Sequence, residues 1–281
     1  MKRPELDWKN TDRIIENALD EDLGKGDITT DAVCSERDNC RAVLRAKQKG
    51  VIAGLPVAER VFQRLDPEIV CVHNLKDGDT ARPGEVLSEI SGSTRAVLSG
   101  ERLALNILQR LSGIATLTSR YVKAVEGLQV KILDTRKTAP GLRVLDKYAV
   151  SAGGGHNHRF GLYDGIMIKD NHIRMAGSIR RAVEIVRKKY RRKYKIEVET
   201  SNLDEVREAL SAGADIIMLD NMTTEQMKTA VGIISGNALV EASGGIKFRN
   251  VREVAGTGVD FISVGSLTHS APALDIGLYM V

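Results

Sequence analysis

The sequence is poor in cysteine and in long apolar runs, and each scarcity excludes a class of protein. Its three cysteines, Cys34, Cys40 and Cys71, are odd in number and lack Cys-x-x-Cys spacing, so we expect neither a disulfide framework nor a zinc site. No apolar run approaches the roughly 20 residues that a membrane-spanning helix needs. The first ten residues, MKRPELDWKN, contain no apolar segment typical of a signal peptide. Together these features predict a cytoplasmic protein.

The sequence also lacks an excess of one charge. Its 281 residues include 41 Lys or Arg and 37 Asp or Glu, a net charge of +4, and the two signs are mostly interleaved. The exception is residues 187–193, RKKYRRK, which we interpret as the solvated C-terminal end of a helix, where the helix dipole favours cations. No aromatic platform or binding motif accompanies this run, so nucleic-acid binding is the weaker interpretation.

The first hundred residues predict a small α+β domain behind a leading helix. Helical spacing of apolar residues predicts a helix over residues 1–23, and residues 24–30 read as a turn-rich connector. From residue 40 to about residue 92, short alternating segments separated by turns predict strands.

Residues 76–92 raise a non-enzymatic alternative. They resemble the hammerhead of biotin- or lipoyl-carrier domains, which would make the protein a carrier or binding module. However, no lysine stands at a hairpin apex, where such a carrier is modified. A structural role for this segment is the better interpretation.

A long helix is predicted from Ser99 to Glu126, with apolar residues around much of its circumference. Such a helix must be buried between domains or subunits, so we expect an obligate oligomer. Arg102 and Arg110 lie eight residues apart on roughly one face of it. From this spacing alone, two ordinary interface salt bridges are the favoured interpretation.

From Gln129 onward the chain repeats one pattern, in which a short apolar run ends at a polar residue or a glycine and a helix follows. The runs end at Asp134, Lys169, Glu199, Asp220, Glu241 and Gly265. Repeated β-α units predict a parallel barrel or a doubly wound sheet. We prefer the barrel, because all its strands point their carboxyl ends at one mouth, where these charged side chains would meet.

Cationic side chains concentrate between Asp134 and His172, at the ends of two of these strands. They are Arg136, Lys137, His158, Arg159, Lys169 and His172, and a glycine run that reads as flexible, Gly153 to Gly155, lies among them. Such a cluster suits a small, multiply anionic ligand. Facing it we expect Glu199, Asp220 and Glu241, in register with one another, although each alone could be a helix cap or an ion-pair partner.

Two glycine-containing turns follow the last two predicted strands, ASGGI at 242–246 and VGSL at 264–267. In barrels, phosphate often binds at the last two such loops, so we expect a 5′-phosphate there, a second anionic group nearby, and Mg²⁺ held through carboxylates and pyrophosphate oxygens. The sequence contains no G-x-S-x-G, H-E-x-x-H or Walker motif. This favours group transfer, in which the protein positions reactants and neutralises charge.

Several long motifs are specific enough to carry a family resemblance. They are GERLALNILQRLSGIAT (100–116), DTRKTAPGLR (134–143), GGGHNHRFGLYDGIMIKDNH (153–172), EVET (197–200), IIMLDN (216–221), EASGGI (241–246) and SVGSLTHSAPALDIGL (263–278). These motifs closely resemble the quinolinate phosphoribosyltransferase family, from Asp27 nearly to the C-terminus. The resemblance implies transfer of phosphoribosyl from phosphoribosyl pyrophosphate to quinolinate with decarboxylation, giving nicotinate mononucleotide, CO₂ and pyrophosphate, in de novo NAD biosynthesis with Mg²⁺.

The resemblance also implies the fold and the assembly. It implies an N-terminal α/β sandwich domain over residues 1–112 and an incomplete, seven-stranded parallel α/β barrel over residues 113–268. A C-terminal segment, residues 269–281, is expected to pack back on the N-terminal domain. The implied assembly is a homodimer or higher homo-oligomer with a shared active site, in which Arg102 crosses the interface to the quinolinate carboxylates. That role replaces the salt bridge that spacing alone favours.

Residue roles are carried over position by position. Substrate binding is implied for Arg102, Thr135, Arg136, Lys137, His158, Arg159, Lys169, Glu199, Asp220, Ser243, Gly244, Gly245, Val264, Gly265 and Ser266. Catalytic roles are implied for Lys137, Lys169, Glu199 and Asp220, the two carboxylates also facing Mg²⁺ through the substrate. A related phosphoribosyltransferase or pyrophosphorylase acting on another acid, such as nicotinate, is the enzymatic alternative. The number of cations favours a dicarboxylate.

Overall fold

The computed structural model describes residues 5–281 and divides into two compact units. The first unit contains the described residues up to Ser119, Thr138–Gly154 and Ser266–Val281, and the second contains Arg120–Lys137 and Gly155–Gly265. The helices are α1 (Trp8–Leu23), α2 (Ile28–Val33), α3 (Leu55–Leu65), α4 (Thr94–Ala124), α5 (Arg143–Ala152), α6 (Asp170–Ala176), α7 (Ile179–Tyr190), α8 (Leu203–Ser211), α9 (Thr224–Ile234), α10 (Val251–Ala255) and α11 (Ser266–His269). The strands are β1 (Asn39–Ala46), β2 (Gly50–Val51), β3 (Val70–His73), β4 (Thr80–Ala81), β5 (Val86–Ser93), β6 (Lys131–Leu133), β7 (Ile166–Ile168), β8 (Ile196–Thr200), β9 (Ile216–Asp220), β10 (Leu239–Ser243), β11 (Phe261–Ser263) and β12 (Ile276–Met280).

An antiparallel sheet with the order β12-β1-β5-β3 is the centre of the first unit. The C-terminal strand β12 pairs with β1, so that Ala42 lies opposite Met280. Leu87 and Ile90 of β5 and Phe62 of α3 are fully buried in the core of this unit. The segment that resembles a carrier hammerhead contains β4 and β5. Strand β4 pairs with β2, and β5 lies between β1 and β3 in the antiparallel sheet, so the segment has a structural role in this unit.

The N-terminal segment departs from the sequence-based expectation after Gly24. The predicted helix over residues 1–23 is α1, which begins at Trp8, and residues 1–4 of the prediction lie outside the described part of the chain. The predicted connector at 24–30 is wrong in its second half, because α2 begins at Ile28. Asp27 caps this helix: its Oδ1 accepts the backbone N–H groups of Thr29 at 3.2 Å and Thr30 at 3.0 Å.

The long apolar helix is α4, and its apolar residues are buried as expected, with Leu108, Leu111 and Ile114 almost inaccessible to solvent. Arg110 on this helix forms a bidentate ion pair with Asp146 of α5, at 2.9 and 2.8 Å. The salt bridge expected for Arg110 therefore forms inside one chain. Among the helices of residues 5–281, none has the length and apolarity to cross a membrane.

The second unit contains six parallel strands in the order β6-β11-β10-β9-β8-β7. The first of these strands in the chain, β6, pairs with the last, β11, which is the cyclic order of a barrel and not that of a doubly wound sheet. The expected seventh strand is reduced to one parallel bridge between Leu133 and His156. His156 donates its N–H to Ile132 O at 2.9 Å and accepts the N–H of Asp134 at 3.1 Å. The barrel is thus incomplete, with six regular strands in the described chain.

The glycine run at 153–155 is hydrogen-bonded and largely buried, a close-packed setting for a segment that the sequence suggests is flexible. Gly153 ends α5 by donating its N–H to Ala149 O at 3.0 Å, and Gly153 and Gly155 are both buried. A Cβ atom on Gly153 would overlap the backbone of Ala115 in α4. Glycine is needed here because α4 and the end of α5 approach closely, within the first unit.

Candidate active site

A cavity of about 650 Å³ opens where the strands of the second unit end. It is lined by Thr135, Arg136, Lys137, His158, Arg159, Met167, Lys169, Glu199, Met218, Asp220, Asn221, Glu241, Ser243, Gly244, Gly245 and Ser263. Because the strands are parallel, their carboxyl ends meet at one edge, and residues far apart in the chain converge there. Sequence reasoning did not single out Met167, Met218, Asn221 or Ser263.

Most of the residues expected to bind substrate line this cavity, and four do not. Val264 and Gly265 follow β11 in the same unit but lie outside the cavity wall, and Ser266 begins α11 in the first unit. Arg102 lies on α4 in the first unit, where it lines a hollow of about 330 Å³ together with Lys47. The roles of these four residues stay predictions.

His172 does not join the cationic cluster, contrary to expectation. Its side chain is exposed, and its Nδ1 accepts the backbone N–H of Lys169 at 3.0 Å, so that it caps the start of α6. The cations in the cavity wall are therefore Arg136, Lys137, His158, Arg159 and Lys169.

Lys169 and Glu199 form an ion pair at the mouth of the barrel. Lys169 follows β7 directly and Glu199 lies in β8, and these neighbouring strands pair with Ile168 opposite Val198. The next residues along both strands are therefore side by side, and Lys169 Nζ bonds to Glu199 Oε2. The lysine side chain is 41% exposed, so it can change partners when an anion enters.

Arg159 is held from two sides. Its Nη1 donates to Gly165 O at 3.0 Å, and its Nη2 contacts Met167 Sδ at 3.8 Å. Partial burial lowers the pKa of Arg159, and the positive charge of the neighbouring Arg136 lowers it further. An arginine remains cationic under these conditions, so the two guanidinium groups form a strong local field for an anion.

The turn after β10 has a shape that only small or flexible residues allow. Gly244 and Gly245 have φ of +80° and +62°, and Asn221, in the neighbouring loop, has φ of +56°. Asn221 donates its backbone N–H to Ser243 O at 2.9 Å, and its Nδ2 donates to Asp220 Oδ2 at 2.8 Å. A Cβ atom on Gly244 would overlap the side chain of Asn221. This close approach fixes the two loops against each other at the cavity wall.

The three strand carboxylates are not in register, contrary to expectation. Glu199 lies opposite Met218, and Glu241 also lies opposite Met218, whereas Asp220 lies opposite Ser243. The equal spacing in sequence was misleading because β10 continues for two residues beyond Glu241. Glu241 therefore lies one layer deeper in the barrel than Asp220.

Glu241 and Glu197 both contact His158 in the interior of the barrel. Their Oε2 atoms lie 3.5 and 3.2 Å from His158 Nε2, and the side chains of His158, Glu197 and Glu241 are 12%, 5% and 2% exposed. Burial would lower the pKa of His158, but hydrogen bonds and charge attraction from the two glutamates raise it to about 10. Burial and the charge of Glu241 raise the pKa of Glu197. We call these three residues the buried cluster.

Glu197 was missed by sequence reasoning, although a signal was available. Side chains two residues apart in a strand point to the same face, so Glu197 must share the inward face of Glu199. The two differ in depth, because Glu199 lies near the end of the strand at the mouth of the barrel, whereas Glu197 lies near the start of the strand, deeper in the barrel. Two acidic residues at alternate positions of a buried strand are unusual enough to suggest a function.

The backbone around His158 is also fixed. Asp134, fully buried at the end of β6, accepts the backbone N–H of His158 through Oδ1 at 2.8 Å. The backbone N–H of Arg159 donates to His158 Nδ1 at 2.7 Å. This second bond needs an unprotonated Nδ1, whereas the carboxylates favour a protonated ring. A cationic ring would have to give up this bond at Nδ1, and the two carboxylate contacts to Nε2 favour the cationic state.

Comparison with known proteins identifies relatives over almost the whole chain. Family models described as quinolinate phosphoribosyl transferase, N-terminal domain and C-terminal domain, match residues 27–112 and 114–279. A curated relative, the probable carboxylating nicotinate-nucleotide pyrophosphorylase of Bacillus subtilis, is 46% identical over 95% of this chain and 92% of its own length. The structure is similar to NadC from Streptococcus pyogenes, with a TM-score of 0.94, 43% identity and 99% of each chain covered. The nicotinate-nucleotide pyrophosphorylase from Francisella tularensis gives a TM-score of 0.95 at 38% identity, covering 100% of this chain and 99% of that one.

Proposed function

Because this chain belongs to the quinolinate phosphoribosyltransferase family, we propose that it transfers phosphoribosyl from phosphoribosyl pyrophosphate to quinolinate and removes one carboxylate of the product as CO₂. The products are nicotinate mononucleotide, CO₂ and pyrophosphate, a step of de novo NAD biosynthesis. The observation that carries this proposal is the composition of one cavity. Five basic side chains, three strand carboxylates and a glycine turn line it together.

The first step needs charge stabilisation at the ribose. As the bond to pyrophosphate breaks, the ribosyl carbon becomes an oxocarbenium-like centre, which the pyridine nitrogen of quinolinate attacks. Glu199 and Asp220 carry negative charge at the cavity wall, where they stabilise this positive centre and bind the ribose hydroxyls. No side chain needs to form a covalent bond with the substrate.

The second step needs an electron sink, which the substrate provides. Once the ring nitrogen is quaternary, the bond to the adjacent carboxylate breaks, CO₂ leaves, and the electron pair stays on the ring carbon until a proton replaces it. Lys137 and Lys169 are positioned to neutralise negative charge, on the departing pyrophosphate or on the ring carbon. Arg136, His158 and Arg159 bind the carboxylates of quinolinate, and the turn at Ser243, Gly244 and Gly245 binds the 5′-phosphate.

Magnesium is part of the proposal. The carboxylate oxygens of Glu199 and Asp220 at the mouth are ligands of the kind that Mg²⁺ takes, and the nearby cations suit the pyrophosphate that would carry the ion. When bound, the ion neutralises charge that develops on the leaving pyrophosphate. The donor set therefore fits an ion held mainly through the substrate.

Assembly and location also belong to the proposal. We expect a homodimer or higher homo-oligomer whose shared active site receives Arg102 from the partner subunit. Val264, Gly265 and Ser266 would complete the phosphate site, and the domains would be those expected from the sequence, at residues 1–112 and 113–268 with a returning segment at 269–281. The low cysteine content agrees with a cytoplasmic protein.

The test is CO₂ release from carboxyl-labelled quinolinate, with and without phosphoribosyl pyrophosphate and Mg²⁺. Release that requires both reagents is expected. Nicotinate is tested as a competing substrate. If nicotinate were converted to its mononucleotide as readily as quinolinate, the protein would be the alternative enzyme, a related phosphoribosyltransferase that acts on another acid. Release without phosphoribosyl pyrophosphate, or none at all, would refute the proposal.

A matched pair of glycine variants ties the activity to this cavity. Gly244→Ala places a Cβ against Asn221 at φ of +80°, so we expect the KM for phosphoribosyl pyrophosphate to rise about tenfold or more. Gly213→Ala is the control, because Gly213 has the same φ of +80° with open space around it and lies outside the cavity wall. Equal effects of both variants would show that backbone strain alone is responsible.

A further inference from the structure

A second cavity, of about 490 Å³, reaches the buried cluster from the other end of the barrel. Its wall includes residues at or next to the starts of strands, such as Lys131, Lys195 and Phe261. His158, Arg159 and Glu241 line this cavity as well as the one at the strand ends. The buried cluster therefore lies in a partition between the two cavities, and both His158 and Glu241 line the substrate cavity.

The two glutamates of the cluster are costly to bury. In the described part of the chain, Oε1 of Glu197 and Oε1 of Glu241 have no hydrogen-bond partner, while the Oε2 atoms of both face a single imidazole. Two buried carboxylates of like charge, each with an unsatisfied oxygen, destabilise a fold. Apolar side chains would fill the same space more favourably. Their presence therefore calls for a functional reason.

We propose that Glu197 and Glu241 are positioning residues of the reaction, which hold His158 in the partition and keep its imidazole cationic toward the carboxylates of quinolinate. The inference rests on the proposed function, in which His158 binds an anionic substrate. It adds that Glu197, which lines only the second cavity, and Glu241, which lines both cavities, set the charge and orientation of that histidine.

The groups that face His158 support this role. They are Glu197 from β8, Glu241 from β10, Asp134 at the end of β6, and Arg159 beside it. Asp134 holds the backbone and the two glutamates hold Nε2, whereas burial of the ring and the backbone N–H of Arg159 at Nδ1 oppose a positive charge. The donor atoms of the cluster lie within 4.8 Å of one another, so the negative charge is concentrated at one ring nitrogen.

The first test compares the kinetics of Glu241→Gln with wild type. The amide keeps the shape of the side chain but removes its charge, so we expect the KM for quinolinate to rise about tenfold, with the KM for phosphoribosyl pyrophosphate little changed. A purely structural role would change both KM values and kcat together. Glu184→Gln, an exposed loss of one negative charge on α7, is the matched control and should leave all three constants unchanged.

A double-mutant cycle then tests whether Glu241 acts through His158. In a His158→Gln background, the additional change Glu241→Gln should have almost no further effect on the KM for quinolinate. An unchanged KM in the single variant, or the same loss with and without His158, would overturn the proposal.

A third measurement does not depend on turnover. Nitrogen-15 NMR of histidine-labelled protein, with the signal of His158 identified by its loss in His158→Gln, should show an imidazolium at pH 8 in wild type. The Glu197→Gln/Glu241→Gln variant should show a neutral ring, and a neutral ring in wild type would refute the inference. If wild type releases no CO₂ while this result holds, the proposed function alone fails.

Discussion

Both units of the protein bury acidic side chains, but they treat them differently. In the first unit, Asp146 is fully buried and both its oxygens are satisfied, by two bonds from Arg110 and by the backbone N–H of Ala139 at 3.1 Å. In the second unit, Glu197 and Glu241 are equally inaccessible, yet each leaves one oxygen without a hydrogen bond in the described chain. The first arrangement stabilises packing, whereas the second retains charge for use at a site.

This difference shows why burial alone does not identify a functional carboxylate. A satisfied buried charge has its full set of partners and no capacity left to act elsewhere. A buried carboxylate with an unsatisfied oxygen destabilises the fold. Its presence is explained when its negative charge acts on a neighbouring functional group, which here is His158. The contrast between the two units leads to five measurable differences in stability.

The largest effect is expected from Arg110→Met in the first unit. The substitution leaves Asp146 as an unpaired buried charge, so the free energy of unfolding should fall by about 3–5 kcal/mol. Urea unfolding measures it, with Arg110→Lys as the control that keeps the charge and loses only the bidentate geometry. A loss below about 1 kcal/mol would contradict the structural role of this ion pair.

The next largest effect is expected in the pH dependence of the free energy of unfolding, to which His158 of the second unit contributes. The pKa of His158 is raised to about 10, so its contribution to stability is complete below its ordinary value of 6.5 and is lost as pH rises toward 10. Wild type should therefore lose on the order of 4 kcal/mol more than His158→Gln between pH 6.5 and 10. Parallel curves for the two proteins would show that the ring is neutral when folded.

A moderate loss is expected from Tyr148→Phe in the first unit. The Tyr148 hydroxyl donates to Asp77 Oδ2 at 2.6 Å, and Asp77 also accepts the backbone N–H groups of Gly54 and Leu55. Removing one of three donors to a carboxylate should cost about 1–2 kcal/mol in urea unfolding. No loss would indicate that a water molecule replaces the hydroxyl.

Glu241→Gln should change stability less, in contrast to its effect on quinolinate binding. The variant loses an attraction to His158 but also a repulsion with Glu197, so the free energy of unfolding should change by less than about 1 kcal/mol. Thermal and urea unfolding of the purified variant measure this. A loss comparable to that of Arg110→Met would place Glu241 with the structural carboxylates of the first unit.

The smallest effect is expected from Arg181→Ala on α7. Its ion pair with Glu184 is long, at 3.8 Å, and the two side chains are 65% and 55% exposed. Exposed pairs contribute little, so unfolding should change by less than about 0.5 kcal/mol. A larger change would mean that urea unfolding overstates the changes in the free energy of unfolding that the other four measurements give.

Much of the site was accessible from the sequence because each strand end carries its functional residues directly after an apolar run. Lys169, Glu199 and Asp220 were located this way, and the structure brings them into one cavity. The same argument was wrong for His172, because its imidazole caps the start of α6 and does not line the cavity. Nothing in the local pattern distinguishes a capping histidine from one that faces a ligand.

The repeated β-α pattern, the long buried helix and the family could be predicted from the amino-acid sequence, because they follow from local periodicity and from long motifs. The greater depth of Glu241 relative to Asp220 could not be predicted this way, since register depends on hydrogen bonds between strands that are distant in the chain. The same holds for the buried cluster. Its three members come from three separate segments, and their charges act on one another only because the barrel excludes water around them.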